Sequence, residues 1–186
     1  MKPANRTKHY QESVIREMTR LAIDSDAINL SQGFPDFDPP KEIVSAAIDA
    51  LNSGCNQYSS TWGIEELRVR LAEIYTNKLG WDVTAEHNVT ITCGVTEAIN
   101  NAMLSVLDPG DEVIIIEPAH ENFVPSALLA GAIPVSVPLA RPDFHLDLDL
   151  LRDSLTSCSK AIMLNTPHNP TGRVFSKEDL LEIGKI

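Results

Sequence analysis

The chain has 186 residues, 43% of them hydrophobic and 22% charged, with a formal net charge of −11. That length accommodates one domain with a sizeable core, and the composition is that of an ordinary soluble globular protein. The acidic excess sets nucleic acid and anionic membrane aside as main partners, since both select a basic face, and leaves a small-molecule ligand as the expectation.

Cys55, Cys93 and Cys158 have no CxxC or CxxH spacing, so they read neither as zinc ligands nor as a disulfide framework. Their odd number fits a reducing compartment. The start, MKPANRTKHYQESVIREM, lacks an apolar signal core, and no apolar run approaches the length of a membrane span. The protein is expected to be cytoplasmic and without membrane contact.

Residues Met1 to Asp26 read as a charged arm with a weak helical period at Val14, Ile15, Met18, Leu21 and Ala22. Ile28 to Leu30 is a short extended piece, and Ser31 to Pro40 is a loop rich in Gly, Pro and Asp. Lys41 to Ser53 predicts an amphipathic helix: Pro39 and Pro40 suit its entry, Ile43, Val44, Ala47, Ile48 and Leu51 form its stripe, and Gly54 can cap its end. After a polar connection, Ile64 to Leu79 predicts a second helix with Leu67, Leu71, Ile74 and Tyr75 inward and Gly80 at its close.

From there strands and helices alternate. Val89 to Thr92, Glu112 to Ile116, Ile133 to Val137 and Lys160 to Leu164 read as strands, with helices near Thr96 to Leu107, Asn122 to Ala130 and Leu148 to Leu155. Short apolar strands alternating with helices predict an α/β fold, a three-layer αβα arrangement about a mainly parallel sheet, with a helical N-terminal arm. Residues 1–40 read as the arm and its following loop, and 41–186 as the main domain. Ser176 to Ile186 opens as a helix with no capping glycine and proline stop after it, so the chain is expected to end inside a domain.

Two strand ends and one junction could carry chemistry. Ala161 to Leu164 is apolar and of strand length, and Asn165 to Gly172 (NTPHNPTG) then excludes both helix and ladder, which gathers polar side chains where open α/β sheets bind ligands. A plain surface turn is the alternative reading of those residue types. At Thr92 to Glu97 a glycine, Gly94, joins strand to helix, so backbone can approach a ligand and the first amides of the helix point outward with the positive end of its dipole. That describes a phosphate cup and is neither GxGxxG nor a Walker loop. Ile116 to His120 is a further strand end, followed by proline and a flat, titratable ring.

INLSQGFPDF at 28–37, ITCGVTEAI at 91–99 and NTPHNPTG at 165–172, in that order, resemble the fold-type I pyridoxal-phosphate aminotransferases of class I/II, over nearly the whole chain from Ile28 onward. The resemblance implies an incomplete pyridoxal-phosphate-dependent transferase large domain at 41–186, and a polypeptide that moves an amino group from an amino acid to a 2-oxo acid. It implies that Gly94, Val95 and Thr96 hold the cofactor phosphate and that Asn169 hydrogen-bonds its phenolic oxygen and helps orient the substrate carboxylate, with Pro170 cis. His120 stands where the family places Trp, Tyr or Phe stacked on the pyridine ring, and offers less area than those. Gly33 would present its backbone to the substrate carboxylate, and Tyr58 would reach the phosphate of the other subunit in a homodimer. Arg173 reads as a solvated or carboxylate-paired side chain.

The catalytic set is expected to be incomplete. In the family the Schiff-base lysine, the acid at the ring nitrogen and an arginine for the α-carboxylate lie beyond the position of Ile186. Ser157 to Lys160 fits a Ser-x-x-Lys pattern, but Lys160 begins the strand whose far end bears the site, and at about 3.3 Å per residue that places its backbone remote from Asn169. The 186 residues alone are therefore expected to be inactive. A carbon-sulfur β-lyase of the same fold and a non-catalytic, truncated cofactor-binding protein are the alternatives.

Overall fold

Val113 to Ile116 has no polar position to leave on a solvent face, so it can be satisfied only as a strand covered on both sides. In the computed structural model, which describes residues 2–8, 12–33 and 35–186, that run is the centre of strand β1, Glu112–Glu117, whose four inner residues are buried. Met1, His9, Tyr10, Gln11 and Phe34, which fall in the arm and in the Ser31 to Pro40 loop, lie outside the described residues. The helices are α1 Val14–Asp24, α2 Lys41–Asn52, α3 Glu65–Leu79, α4 Ala85–Asn88, α5 Gly94–Val106, α6 Phe123–Leu129, α7 Leu148–Asp153 and α8 Lys177–Ile183, with a 3-10 turn at Asn5–Thr7. Strands β2, Ile133–Pro138, and β3, Ser159–Met163, complete the set. No helix of the described residues is long and apolar enough to cross a membrane.

The chain forms two compact units, one of residues 1–11 with 94–186 and one of 12–93. In the first, a sheet of order β2-β1-β3 is parallel throughout, with Ile114 opposite Val135 on one side and Ile162 on the other. Alternate residues of β1 supply two cores. Val113 and Ile115 meet Met103, Leu107, Phe123, Ala127 and Ala132 on the α5 and α6 face. Ile114 and Ile116 meet Val137, Leu146, Leu151 and Phe175 on the α7 face, where Leu180 and Ile183 of α8 also pack. That is the predicted three-layer αβα arrangement with a parallel sheet.

The caps follow the sequence. Ser176 and Asp179 form a reciprocal capping box at the start of α8, and Asp147 accepts from the amides of Asp149 and Leu150 at α7. At the end of α2, Cys55 N donates to Ala50 O and Gly54 N to Leu51 O, with Gly54 at φ +97°, a Schellman closure that needs the left-handed residue.

Two sequence expectations fail in the 12–93 unit. Val89 to Thr92 is not a strand: Arg68 Nε takes the Val89 carbonyl at 2.9 Å and Ile91 N donates to Trp62 O at 3.0 Å, so these groups bond to side chain and loop instead of a ladder. Leu67 and Tyr75 are exposed and do not face inward, because α3 turns Arg68 and Ala72 to its buried side and Arg68 also donates to the carbonyls of Ala85 and Glu86. A buried guanidinium is stable there because carbonyls accept its hydrogens. The α2 stripe is helical as predicted, yet Ile43, Ile48 and Leu51 remain exposed among the described residues.

Leu151, fully buried at the centre of the α7 face, tests this packing. Leu151→Ala is expected to cost about 2–5 kcal/mol in denaturant unfolding, whereas Val106→Ala at a position 53% exposed should shift the midpoint little.

Candidate functional site

The connections leaving β1 and β3 diverge: β1 feeds α6 on one face of the sheet, and the chain after β3 reaches α8 on the other. Adjacent strands whose exits part in this way open a crevice at their carboxyl ends. A cavity of about 300 Å³ lies there, lined by Val95, Ile99, His120, Phe123, Met163, Leu164, Asn165 and Asn169. Its walls are apolar with a few convergent polar groups, as in small-molecule sites.

Gly94 opens α5 at φ +79°, a conformation that an L side chain resists, and a Cβ placed there would have nothing within 4 Å. The space on that side of its Cα is therefore empty of other side chains. Val95 next to it is 65% exposed and lines the cavity. The Thr96 hydroxyl accepts from Asn122 Nδ2 at 2.7 Å. His120, half-buried, lies against Phe123 with ring centroids 5.6 Å apart and tilted by 44°, and its Nδ1 accepts from Asn122 N at 3.3 Å.

The loop after β3 is built around His168, which is 2% exposed. Its ring meets Phe175 edge-on at 6.1 Å and shares a 2.8 Å hydrogen bond with the Thr171 hydroxyl. Its amide donates to Arg173 O and its carbonyl accepts from Gly172 N, both at 2.7 Å, with Gly172 at φ +73°. Burying His168 leaves Asn169 exposed at the cavity, its amide donating to Asn165 Oδ1 at 2.7 Å. The Asn169–Pro170 bond is cis, as are those before Pro118, Pro142 and Pro167. Arg173 lies 3.8 Å from the Asp143 carboxylate, in keeping with a carboxylate-paired side chain. The His145 imidazole hydrogen-bonded to Asp143 is the main cause that holds this exposed carboxyl below its ordinary value of 3.8, with the Arg173 charge adding to it.

Val95, His120 and Asn169 thus share one cavity, with Gly94 and Thr96 in the same helix turn as Val95. Gly33 and Tyr58 belong to the 12–93 unit, where Tyr58 is fully exposed. Lys160 is exposed at the opening residues of β3 and lines a separate hollow with Leu155, Ser159 and Ile186. Sequence reasoning missed Asn122, Asn165 and the anchoring role of His168. Asn165 carried a signal, because an Asn ahead of a proline turn commonly bonds a nearby backbone amide.

The profile of the family described as aminotransferase class I and II matches residues 25–186. A probable N-succinyldiaminopimelate aminotransferase, DapC, of Mycobacterium tuberculosis is 42% identical over 185 residues, covering 98% of this chain and 46% of its own. Human kynurenine–oxoglutarate transaminase 1 is 39% identical over 177 residues, with 88% and 42% covered. Among solved structures, N-succinyldiaminopimelate aminotransferase from Mycobacterium tuberculosis superposes with a TM-score of 0.93 at 40% identity over 99% of this chain and 48% of that one. Thermus thermophilus aspartate aminotransferase with maleate gives 0.90 at 32% identity, with 100% and 50% covered. The chain spans about half the length of the curated relatives it matches. On its sequence, its parallel three-layer fold and these matches, the chain belongs to the class I and II aminotransferase family.

Proposed function

We propose that these residues form the cofactor-facing part of a pyridoxal-phosphate-dependent aminotransferase that moves an amino group from an amino acid to a 2-oxo acid. The observation that carries the reading is the gathering of Val95, His120 and Asn169 about one cavity at the carboxyl ends of β1 and β3. The relatives named above are all transaminases, which favours amino transfer over carbon-sulfur β-elimination. The amino acid in their names differs from one to the next, so the proposal rests at the reaction class.

The residues fit the cofactor. The cavity of about 300 Å³ suits a small aromatic ligand, and a glycine without neighbours about its missing Cβ suits an approaching phosphate. When bound, pyridoxal phosphate supplies an aldehyde that takes up the amino group and a ring that withdraws electrons from the reacting carbon. The amides at the start of α5 and the Thr96 hydroxyl hold the phosphate, with the helix dipole adding to the attraction. The His120 ring, backed by Phe123, covers one face of the pyridine and excludes water from it. The Asn169 amide donates to the phenolic oxygen and favours its anion, and because the amide is neutral it leaves the aldehyde end to other groups. Gly33 offers backbone to the substrate carboxylate, and in a homodimer Tyr58 donates to the partner's phosphate.

Among the described residues no lysine lines the cavity, so none is placed there to link the cofactor aldehyde. Borohydride reduction of the chain loaded with pyridoxal phosphate, followed by peptide mapping, is expected to yield no single stoichiometric pyridoxyl-lysine. An amino-acid to keto-acid assay should show no turnover above free cofactor. One uniquely labelled lysine, or turnover, would overturn the assignment of the lysine to a position outside these residues.

For Tyr58, a polypeptide of the relatives' length is the material to test. Mixed dimers pairing a Tyr58→Phe protomer with a site-inactive one are expected to show cofactor affinity weakened about tenfold at the site facing the phenylalanine, the scale of a hydrogen bond to a charged group. Equal affinity at both sites would remove the cross-subunit role.

A further inference from the structure

Asn122 stands at the N-cap of α6, where an asparagine side chain ordinarily accepts from an amide of the first turn. Here it makes no such bond: its backbone is αR, at φ −84° and ψ −14°, not the extended conformation that a capping side chain needs. The amide crosses instead to α5, where Nδ2 donates to Thr96 Oγ1 at 2.7 Å, between residues 26 apart in sequence. Its backbone is held by a second contact, Asn122 N donating to His120 Nδ1 at 3.3 Å. Asn122 is half-buried and lies between the two groups read above as phosphate donor and ring cover.

A hydroxyl has one hydrogen to donate and two lone pairs to accept with. When a neighbour fills a lone pair of Thr96, the hydroxyl proton turns elsewhere, and at the amino end of α5 an anion is the acceptor that the helix dipole favours. We propose that Asn122 is a positioning residue that sets the Thr96 hydroxyl to donate to the cofactor phosphate. The inference rests on the aminotransferase reading, and it assigns a role to a residue outside the cavity lining. The amide does not touch the phosphate; it acts through Thr96.

Titration of the chain with pyridoxal 5'-phosphate and with pyridoxal, followed by NMR, separates this role from a merely structural one. The measured quantity is the preference for the phosphorylated compound, since general damage to the pocket weakens both ligands alike. Asn122→Ala is expected to lower that preference about fivefold, the worth of one oriented hydrogen bond. Thr96→Val should lower it at least as much, and Asn122→Ala should add nothing in the Thr96→Val background. Effects that simply add, or an equal weakening of both ligands by Asn122→Ala, would overturn the proposal while leaving the cofactor site intact. Thermal melts monitor folding; should Asn122→Ala unfold, Thr96→Val removes the same hydrogen bond from its other end, and an unchanged preference there overturns the proposal by itself. No preference for the phosphorylated compound in the parent chain would bring down both this inference and the aminotransferase reading.

Discussion

The structure of the 94–186 unit depends on the burial of both faces of β1. Its edges are hydrogen-bonded to β2 and β3, and Val113 to Ile116 are between 0% and 2% exposed, so each residue must find a cover on one face or the other. The alternating direction of strand side chains turns one apolar run into two separate demands. Phe123 and Ala127 of α6 answer one, and Leu151 of α7 with Phe175 answers the other. The site follows from that division. If α6 and α8 lay on the same face, the exits of β1 and β3 would be parallel and their carboxyl ends would close over. Because they part, His120 and Asn169 come from neighbouring strand ends and still face an open crevice.

The same economy shapes the loop after β3. A loop exposed to solvent cannot aim a side chain unless some part of it is buried, and here the buried part is a histidine. His168 packs on Phe175, which itself belongs to the core against Ile114 and Leu151. Its backbone exchanges hydrogen bonds with Gly172 and Arg173, so the turn is closed beneath it. Asn169 is then the first residue with no room inside, and its direction follows from its neighbour's burial. The Asn165 side chain takes up the Asn169 amide, so the polar backbone at the mouth of the cavity is satisfied without a ligand.

Sequence and structure agree where a signal is local. Apolar runs bounded by turn residues located β1, β2 and β3 to within one residue at each end, and Ser176 with Asp179 announced a helix start that a capping box then makes. Disagreement falls where a partner is far along the chain. Val89 to Thr92 reads as a strand, yet its hydrogen bonds go to Arg68 and Trp62, and no window of a few residues contains that information. The inward face of α3 was misread for the same reason, since hydropathy ranks Leu67 above Arg68 and is silent on the carbonyls of Val89, Ala85 and Glu86 that make burial of the arginine favourable. Of the candidate site, Val95, His120 and Asn169, which motif strings carried, line one cavity, with Gly94 and Thr96 in the adjoining helix turn. Their supports were not legible, because the bond of Asn122 to Thr96 spans 26 residues and the burial of His168 depends on the core beneath it.

Helix α6 shows how positioning and stability are reconciled. It has seven residues, well short of the length at which a helix holds itself together in water, so its stability comes from packing. Phe123, Ser126 and Ala127 are buried, Phe123 and Ala127 in one cluster with β1 and α5 residues, and Ser126 closes its own hydroxyl onto the Asn122 carbonyl at 2.7 Å. An N-cap side chain would add about 1 kcal/mol to such a helix. With three of seven residues already in the core, that increment is small against the packing, and the Asn122 amide can reach across to α5 without endangering the helix that carries it. The residue at the start of a short, well-buried helix is thus where a side chain can be diverted from capping to a neighbouring helix at the least expense to the fold.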